Sequence, residues 1–147
     1  MRGEVRVRVR LTNASDEALA RRGQLPRDQV RSCEADALVD TGAVSLVMPA
    51  QLMQQIGLMA RDERVVTYAD GRTERVEVTE PVIVQVDGRT TSGDALVLGD
   101  EVLIGQTVLE VLDLVVDTRT GRLIQNPRHP DGPTLNVKRI SRAPFFP

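Results

Sequence analysis

The chain has 147 residues, of which 41% are hydrophobic and 27% charged, with a formal net charge of −2 at pH 7. One domain of this size can bury a core without disulfides or a structural metal, and the composition is that of a globular protein. The charge balance gives no global basic surface for nucleic acid. Aromatic residues number three (Tyr68, Phe145 and Phe146), too few for a base-stacking surface. We therefore expect no nucleic-acid partner and an aliphatic core.

One cysteine, Cys33, and one histidine, His129, limit the chemistry further. A lone cysteine excludes an intramolecular disulfide and a thiolate metal cluster. We expect no metal and no other cofactor, Cys33 as an inert strand residue and His129 as a solvent-facing loop residue. No apolar run reaches 18 residues and the first residues lack a signal-peptide pattern, which predicts a cytoplasmic protein without a membrane partner.

The first predicted elements are strands separated by one helix and one loop. Residues 3–11 alternate valine with charged residues, the period of a half-buried strand. A short helix is predicted over 17–22 and a loop over 23–28. A second strand covers 30–40 and becomes wholly apolar near its end, and a third covers 46–48.

The rest of the chain is predicted as short strands with small helices. Pro49 suits the first turn of a helix over 50–56, and a second helix follows over 107–112. A buried strand is predicted over 102–104, and the proline-rich tail from Asn126 is irregular. Turn signals, two of them Asp-Gly, predict three hairpins: strands 64–68 with 73–78, 81–86 with 91–98, and 114–116 with 122–124. The fold class is mainly β, closed and barrel-like, with one or two short helices.

The densest motif is Asp40-Thr41-Gly42, directly after an apolar strand. Burying a lone carboxylate is costly, so the position calls for a functional acid or a capping turn. Aspartate is also common in ordinary turns, and the tripeptide alone leaves that alternative open.

The sequence around this motif resembles the retropepsin-like aspartic proteases, most closely the single-domain bacterial members. Aliphatic residues precede Asp-Thr-Gly-Ala at 40–43, and an aliphatic cluster follows at 46–49. The family's second motif, an apolar pair and a glycine before a leucine-bearing helix, is matched by residues 103–105 and 108–112. The resemblance covers residues 30–125, the expected protease domain. Outside it lie an N-terminal strand and loop extension, 1–29, and a C-terminal tail, 126–147.

The resemblance implies a role for each residue of the loop. Asp40 would be the catalytic acid and base, Thr41 would cross-brace two loops through its hydroxyl, and Gly42 would let the loop turn closely. Ala43 would contact the substrate.

It also implies a substrate cleft and a covering flap. Leu103, Ile104 and Gly105 would pack beside the loop and line the cleft. The tip of the first hairpin would be the flap, with Tyr68 at its base; a half-buried strand aromatic is the alternative for Tyr68. The tip residues of the flap are Ala69, Asp70 and Gly71.

Aspartic proteases use two carboxylates that share one proton. This chain has one Asp-Thr-Gly, because the Asp-Thr at Asp117 continues as Arg119. The resemblance therefore implies a homodimer in which Asp40 and its symmetry mate form the dyad, acting on a peptide or protein substrate.

Two features motivate other hypotheses. Val44 and Ser45 stand where retroviral members carry acidic or small polar residues that hold the substrate, and the flap has one glycine between charged residues. The same fold could therefore serve as a non-catalytic dimerisation or peptide-binding module. A third hypothesis is an unrelated β-barrel in which Asp-Thr-Gly is only a turn.

Overall fold

The computed structural model describes residues 4–137, which form eleven strands, three α-helices and a 3-10 turn. In chain order they are β1 (Arg6–Asn13), α1 (Ala14–Arg21), the 3-10 turn (Arg27–Gln29), β2 (Ser32–Val39), β3 (Leu46–Met48), α2 (Ala50–Gln55), β4 (Ala60–Thr67), β5 (Thr73–Thr79), β6 (Val82–Val86), β7 (Arg89–Gly93), β8 (Ala95–Val97), β9 (Val102–Ile104), α3 (Gln106–Leu112), β10 (Leu114–Asp117) and β11 (Arg122–Gln125).

Nine strands form one sheet in the order β4-β5-β8-β3-β9-β2-β1-β6-β7, and β10 pairs with β11 separately. The prediction of a mainly β protein is confirmed. The prediction of a closed barrel is wrong for the described residues, because the end strands β4 and β7 do not pair with each other. Seven of the eight residues of β4 are exposed, so the β4–β5 hairpin projects from the sheet instead of closing it.

The structure has three helices, one more than the fold-class prediction of one or two. The helix predicted over 17–22 is α1, which begins earlier, at Ala14. Its first turn is capped by Asn13, whose side-chain oxygen accepts a hydrogen bond from the Asp16 N–H at 3.0 Å. All three helices are six to eight residues long, so the core lies mainly on the sheet.

The position of β9 in the strand order places the Asp40 motif. β2 and β3 follow each other in the chain, yet β9 lies between them, parallel to β2 and antiparallel to β3. Leu103 of β9 is opposite Leu38 on one side and Val47 on the other. The loop from β2 to β3 therefore passes over the end of β9.

β1 is integral to this sheet, since it pairs with β2 over seven residues and with β6 over four. Its side chains Val9 and Leu11 are buried in the same core as Ile104. The division of the chain at residue 30 stays a prediction, but the strand before it contributes to the packing of the strands after it.

The core is aliphatic, as the composition predicts. Leu11, Met48, Ile56 and Ile104 are fully buried. Cys33 is also buried, and burial raises the pKa of its thiol, which disfavours the reactive thiolate. None of the described helices is long and apolar enough to cross a membrane.

The segment after β11 folds back onto the end of α3. The Asp113 carboxylate accepts hydrogen bonds from Asn126 Nδ2 at 2.9 Å and the Thr134 N–H at 3.0 Å, and lies 2.6 Å from His129 Nδ1. The prediction of a solvent-facing His129 is therefore wrong: its side chain is 23% exposed. Phe145 and Phe146 lie outside the described residues.

Candidate active site

The Asp40 carboxylate is fixed by its own turn. The Asp40 N–H donates to the Ile104 carbonyl at 2.9 Å, which ties the end of β2 to β9. The carboxylate Oδ1 then accepts from the Gly42 N–H at 3.0 Å, and the Ala43 N–H donates to the Asp40 carbonyl at 3.1 Å. Asp40 is half-buried. Its side chain therefore has a set direction while part of it stays accessible.

The start of α3 holds the same loop from the other side. The Gln106 N–H donates to the Ala43 carbonyl at 2.8 Å, and the Thr107 N–H donates to the Val44 carbonyl at 3.1 Å. A helix leaves its first N–H groups without intrahelical partners, and here the loop carbonyls accept from two of them. Apart from the glycine that precedes the helix, no pattern in the sequence predicts these backbone contacts.

Gly105 is required by this approach. A Cβ built on Gly105 would lie 2.5 Å from the Ser45 carbonyl oxygen and 2.8 Å from that of Ala43. Those atoms belong to the backbone and cannot rotate away. The second motif thus contributes a residue without a side chain so that the loop and the helix can touch.

The predicted cleft residues differ in how far they are exposed. Leu103 is half-buried, but Ile104 is fully buried in the core and supports the loop from below. On the outer face of the loop, Thr41 and Gly42 are exposed and Ala43 is half-buried. Val44, the next residue, is 71% exposed, so the outer face of the loop also presents an apolar side chain.

The predicted flap is the turn between β4 and β5. The Tyr68 N–H donates to the Arg72 carbonyl at 2.8 Å, and Gly71 adopts φ +87°, a conformation that suits glycine. The Asp70 carboxylate accepts from the Arg72 N–H and Nε, which lowers the pKa of Asp70. Ala69 is exposed at the tip.

Tyr68 belongs to a polar cluster of the hairpin itself. Its hydroxyl donates to Glu74, which raises the pKa of Tyr68, and the Arg72 guanidinium lies 4.8 Å from the ring centroid. Within residues 4–137 no hydrogen bond joins the hairpin tip to the Asp40 loop. The same residues contain no group of three or more histidine, cysteine or acidic side chains that could hold a metal ion.

These features together define a class of protein. A tethered, half-buried aspartate follows one strand, and an apolar-apolar-glycine strand lies between the two strands that its loop connects. This arrangement fits the retroviral-type aspartyl protease family. Residues 29–111, more than half of the chain, match the family described as "gag-polyprotein putative aspartyl protease", and the chain belongs to this family. The hypothesis of an unrelated barrel is wrong.

Among solved structures, the solution structure of simian foamy virus (mac) protease is similar to 52% of this chain and 80% of that one, with 17% sequence identity and a TM-score of 0.41. A likeness of that size adds nothing to the family assignment. No curated protein matches the chain.

Proposed function

We propose that this protein is a homodimeric aspartic endopeptidase whose dyad consists of Asp40 from each of two chains. One observation carries the proposal: each chain presents a single half-buried carboxylate, tethered by the Gly42 N–H, on a loop whose outer face is exposed. A twofold axis at that face would bring two such carboxylates together and leave neither loop unpartnered.

The chemistry follows from the shared proton. Two carboxylates at hydrogen-bond distance cannot both ionise, so one stays protonated while the other is charged. The charged one takes a proton from water as the water oxygen attacks the scissile carbonyl carbon, and the protonated one donates to the carbonyl oxygen. The carboxyl that took the proton from water then gives it to the leaving amine as the C–N bond breaks, and the other carboxylate takes a proton from a hydroxyl of the tetrahedral intermediate. The pH dependence belongs to the pair rather than to either Asp40.

The remaining site residues would serve positioning roles. The Thr41 hydroxyl would brace the partner's loop, and the β4–β5 hairpin would cover an extended peptide. Val44 would place an apolar surface beside the scissile bond, since its side chain is 71% exposed. We therefore expect a preference for peptides with an aliphatic side chain near that bond.

Replacing Asp40 with asparagine tests the mechanism. We expect Asp40→Asn to lower cleavage of a peptide library at pH 4–7 by about a thousandfold or more, because the variant has no base for the water. Mass spectrometry of the products gives the rates. The matched control is Asp117→Asn, an Asp-Thr without the glycine, which should keep full activity. Peptide cleavage that persists in the Asp40→Asn variant would contradict the proposal.

A second function is favoured by the hairpin tip. Its turn is fastened by the Asp70–Arg72 contacts, 2.7 Å at the closest, and no acidic side chain follows Ala43 to grip a substrate backbone. A peptide-binding module would bind extended peptides and return them intact. Single-turnover mass spectrometry at enzyme excess distinguishes the two: any cut product rejects the binding module.

We also propose that the protein acts in the cytoplasm. Fractionation of cells that express a tagged chain tests this location, and recovery in an extracellular fraction would contradict it.

A further inference from the structure

The two ends of the nine-stranded sheet differ in chemistry within residues 4–137. β4 carries four consecutive charged residues at 61–64, and charge is a common device that keeps an exposed edge from pairing with another chain. β7 begins with Arg89, whose guanidinium is turned inward and donates to the Leu112 and Asp113 carbonyls at 2.9 Å. The rest of the strand, Thr-Thr-Ser-Gly at 90–93, carries no charge or proline and pairs with β6 without a bulge. Its outer backbone edge is open to another strand.

A groove lies along each face of this edge. On the core face, Thr91 sits opposite Val84, and both line a groove of about 290 Å³ that α3 closes from the side. Leu46, Val108 and Val111 form an aliphatic wall, and Ser45 and Thr107 carry hydroxyls at the rim. Asp94 also lines the groove, and its carboxylate is paired with Arg61 at 3.0 Å.

The opposite face has a second groove, of about 450 Å³, between β7 and α1. Thr90, Thr91 and Ser92 line it from the strand, and Ile83 from β6. On the helix side its lining is Ala18, Glu17 and Arg21, and Glu17 is paired with Arg21 at 3.7 Å and with Arg27. This groove is therefore more polar than the first.

We propose that the β7 edge is a docking site for an extended peptide segment of a partner protein. The segment adds to the sheet as a further strand, and its backbone pairs with the outer groups of β7. Successive side chains of a strand point to opposite faces. One set therefore enters the aliphatic groove beside α3, and the alternate set enters the polar groove beside α1.

The occupant is a single strand rather than a second copy of this chain. α1 and α3 flank the edge on its two faces, and a second copy would bring its own two helices into the same space. The aliphatic groove favours valine-, leucine- or isoleucine-sized side chains, and the other groove favours polar ones. An alternating aliphatic and polar segment fits both.

A labelled heptapeptide tests the proposal: fluorescein-Thr-Val-Thr-Val-Thr-Val-Thr-amide, added to the full chain carrying Asp40→Asn so that it is not cut. We expect fluorescence anisotropy to report binding, and amide hydrogen exchange to show new protection in β7. The same peptide with alternate backbone amides N-methylated should bind at least tenfold more weakly, because it cannot complete the ladder.

Two variants with charges in the grooves localise the site. Val111→Lys and Ala18→Glu should each weaken binding at least tenfold, whereas Val65→Lys, on β4 and 59% exposed, should not. Thermal unfolding of each variant checks the fold. No binding, equal binding of the N-methylated peptide, or protection confined to residues 40–45 and 68–72 overturns the proposal. A dimer that Val111→Lys dissociates also overturns it, since a second copy would then be the occupant. None of these outcomes depends on whether the wild-type chain cleaves peptides.

Discussion

Gly105 is the residue on which the geometry of the Asp40 loop depends most directly. Gly105→Ala places a methyl group 2.5 Å from the Ser45 carbonyl oxygen, so the loop or the start of α3 must move. We expect a loss of about 2 kcal/mol or more in the free energy of unfolding and a large loss of any cleavage activity. Urea titration and peptide assays measure the two.

Gly93→Ala is the matched control, because a Cβ there meets no atom within 4 Å and Gly93 has no positive φ. Its unfolding free energy should stay within about 0.5 kcal/mol of wild type. If both glycine variants are equally stable, the close packing of the loop against α3 is not what requires glycine at 105.

The Asp16–Arg31 pair gives stability a defined pH dependence. Arg31 donates to the Asp16 carboxylate from its Nε at 2.8 Å and from its backbone N–H at 3.0 Å, and these bonds, the side-chain one most of all, lower the pKa of Asp16. A lowered folded-state pKa contributes stability that is fully present above the unfolded value of about 3.9 and is lost as pH falls through the folded value. Asp16→Asn should therefore cost about 1–2 kcal/mol at pH 7 and less at pH 3.

Urea unfolding at the two pH values measures this difference. The control is Asp28→Asn, an exposed acidic residue in the 3-10 turn, which should leave stability unchanged at both. A cost for Asp16→Asn that is the same at pH 3 and pH 7 would show that the charge of Asp16 contributes nothing.

Among the elements, the segment 126–137 is held chiefly by one buried carboxylate. His129→Ala removes one of the side-chain contacts of Asp113 and should weaken the attachment by about 1–2 kcal/mol. In this variant we expect faster hydrogen exchange at the Thr134 N–H, which also binds Asp113, and faster tryptic cleavage after Arg128. Arg128→Ala, which removes an exposed side chain, should leave the exchange rate of Thr134 unchanged; equal exchange in both variants contradicts the role of His129.

The sequence predicted elements well where a local rule applies. Asp87-Gly88 predicted a hairpin, and both residues take positive φ in the turn, 52° and 76°. The start of β4 at Ala60 was missed because its first residues are charged and show no alternation. The strand predicted over 91–98 breaks at Asp94 into β7 and β8, which pair with different neighbours, so no local period marks the break.

The site residues likewise divide into those that a local motif predicts and those that it does not. Asp40, Thr41 and Gly42 were found because they are contiguous and match a motif. Gln106 and Thr107 contact the loop because β9 enters the sheet between β2 and β3. His129 pairs with Asp113 because the chain reverses direction after β11. Neither contact produces a periodic pattern in the sequence, so neither could be predicted from it.

At the scale of the whole molecule, the proposed activity belongs to two chains. Cleavage per chain should fall on dilution as dimers dissociate. Mixing wild type with an equal amount of Asp40→Asn, with free exchange, should leave about a quarter of the dimers with two native carboxylates. Activity assays across a dilution series, and across mixing ratios, check both expectations. A rate per chain that is independent of concentration and strictly proportional to the wild-type fraction would indicate a self-sufficient monomer.

The position of β9 also has a consequence for synthesis. The two strands that carry the Asp40 loop leave the ribosome early, but the strand between them and the helix that holds the loop, Val102–Ile104 and Gln106–Leu112, leave late. Pairings between distant parts of a chain also form more slowly than local ones. The nascent chain therefore carries Asp40 before the strand and the helix that orient its loop have been made. The proposed cleavage activity therefore cannot begin, even towards neighbouring polypeptides, before β9 and α3 have been translated.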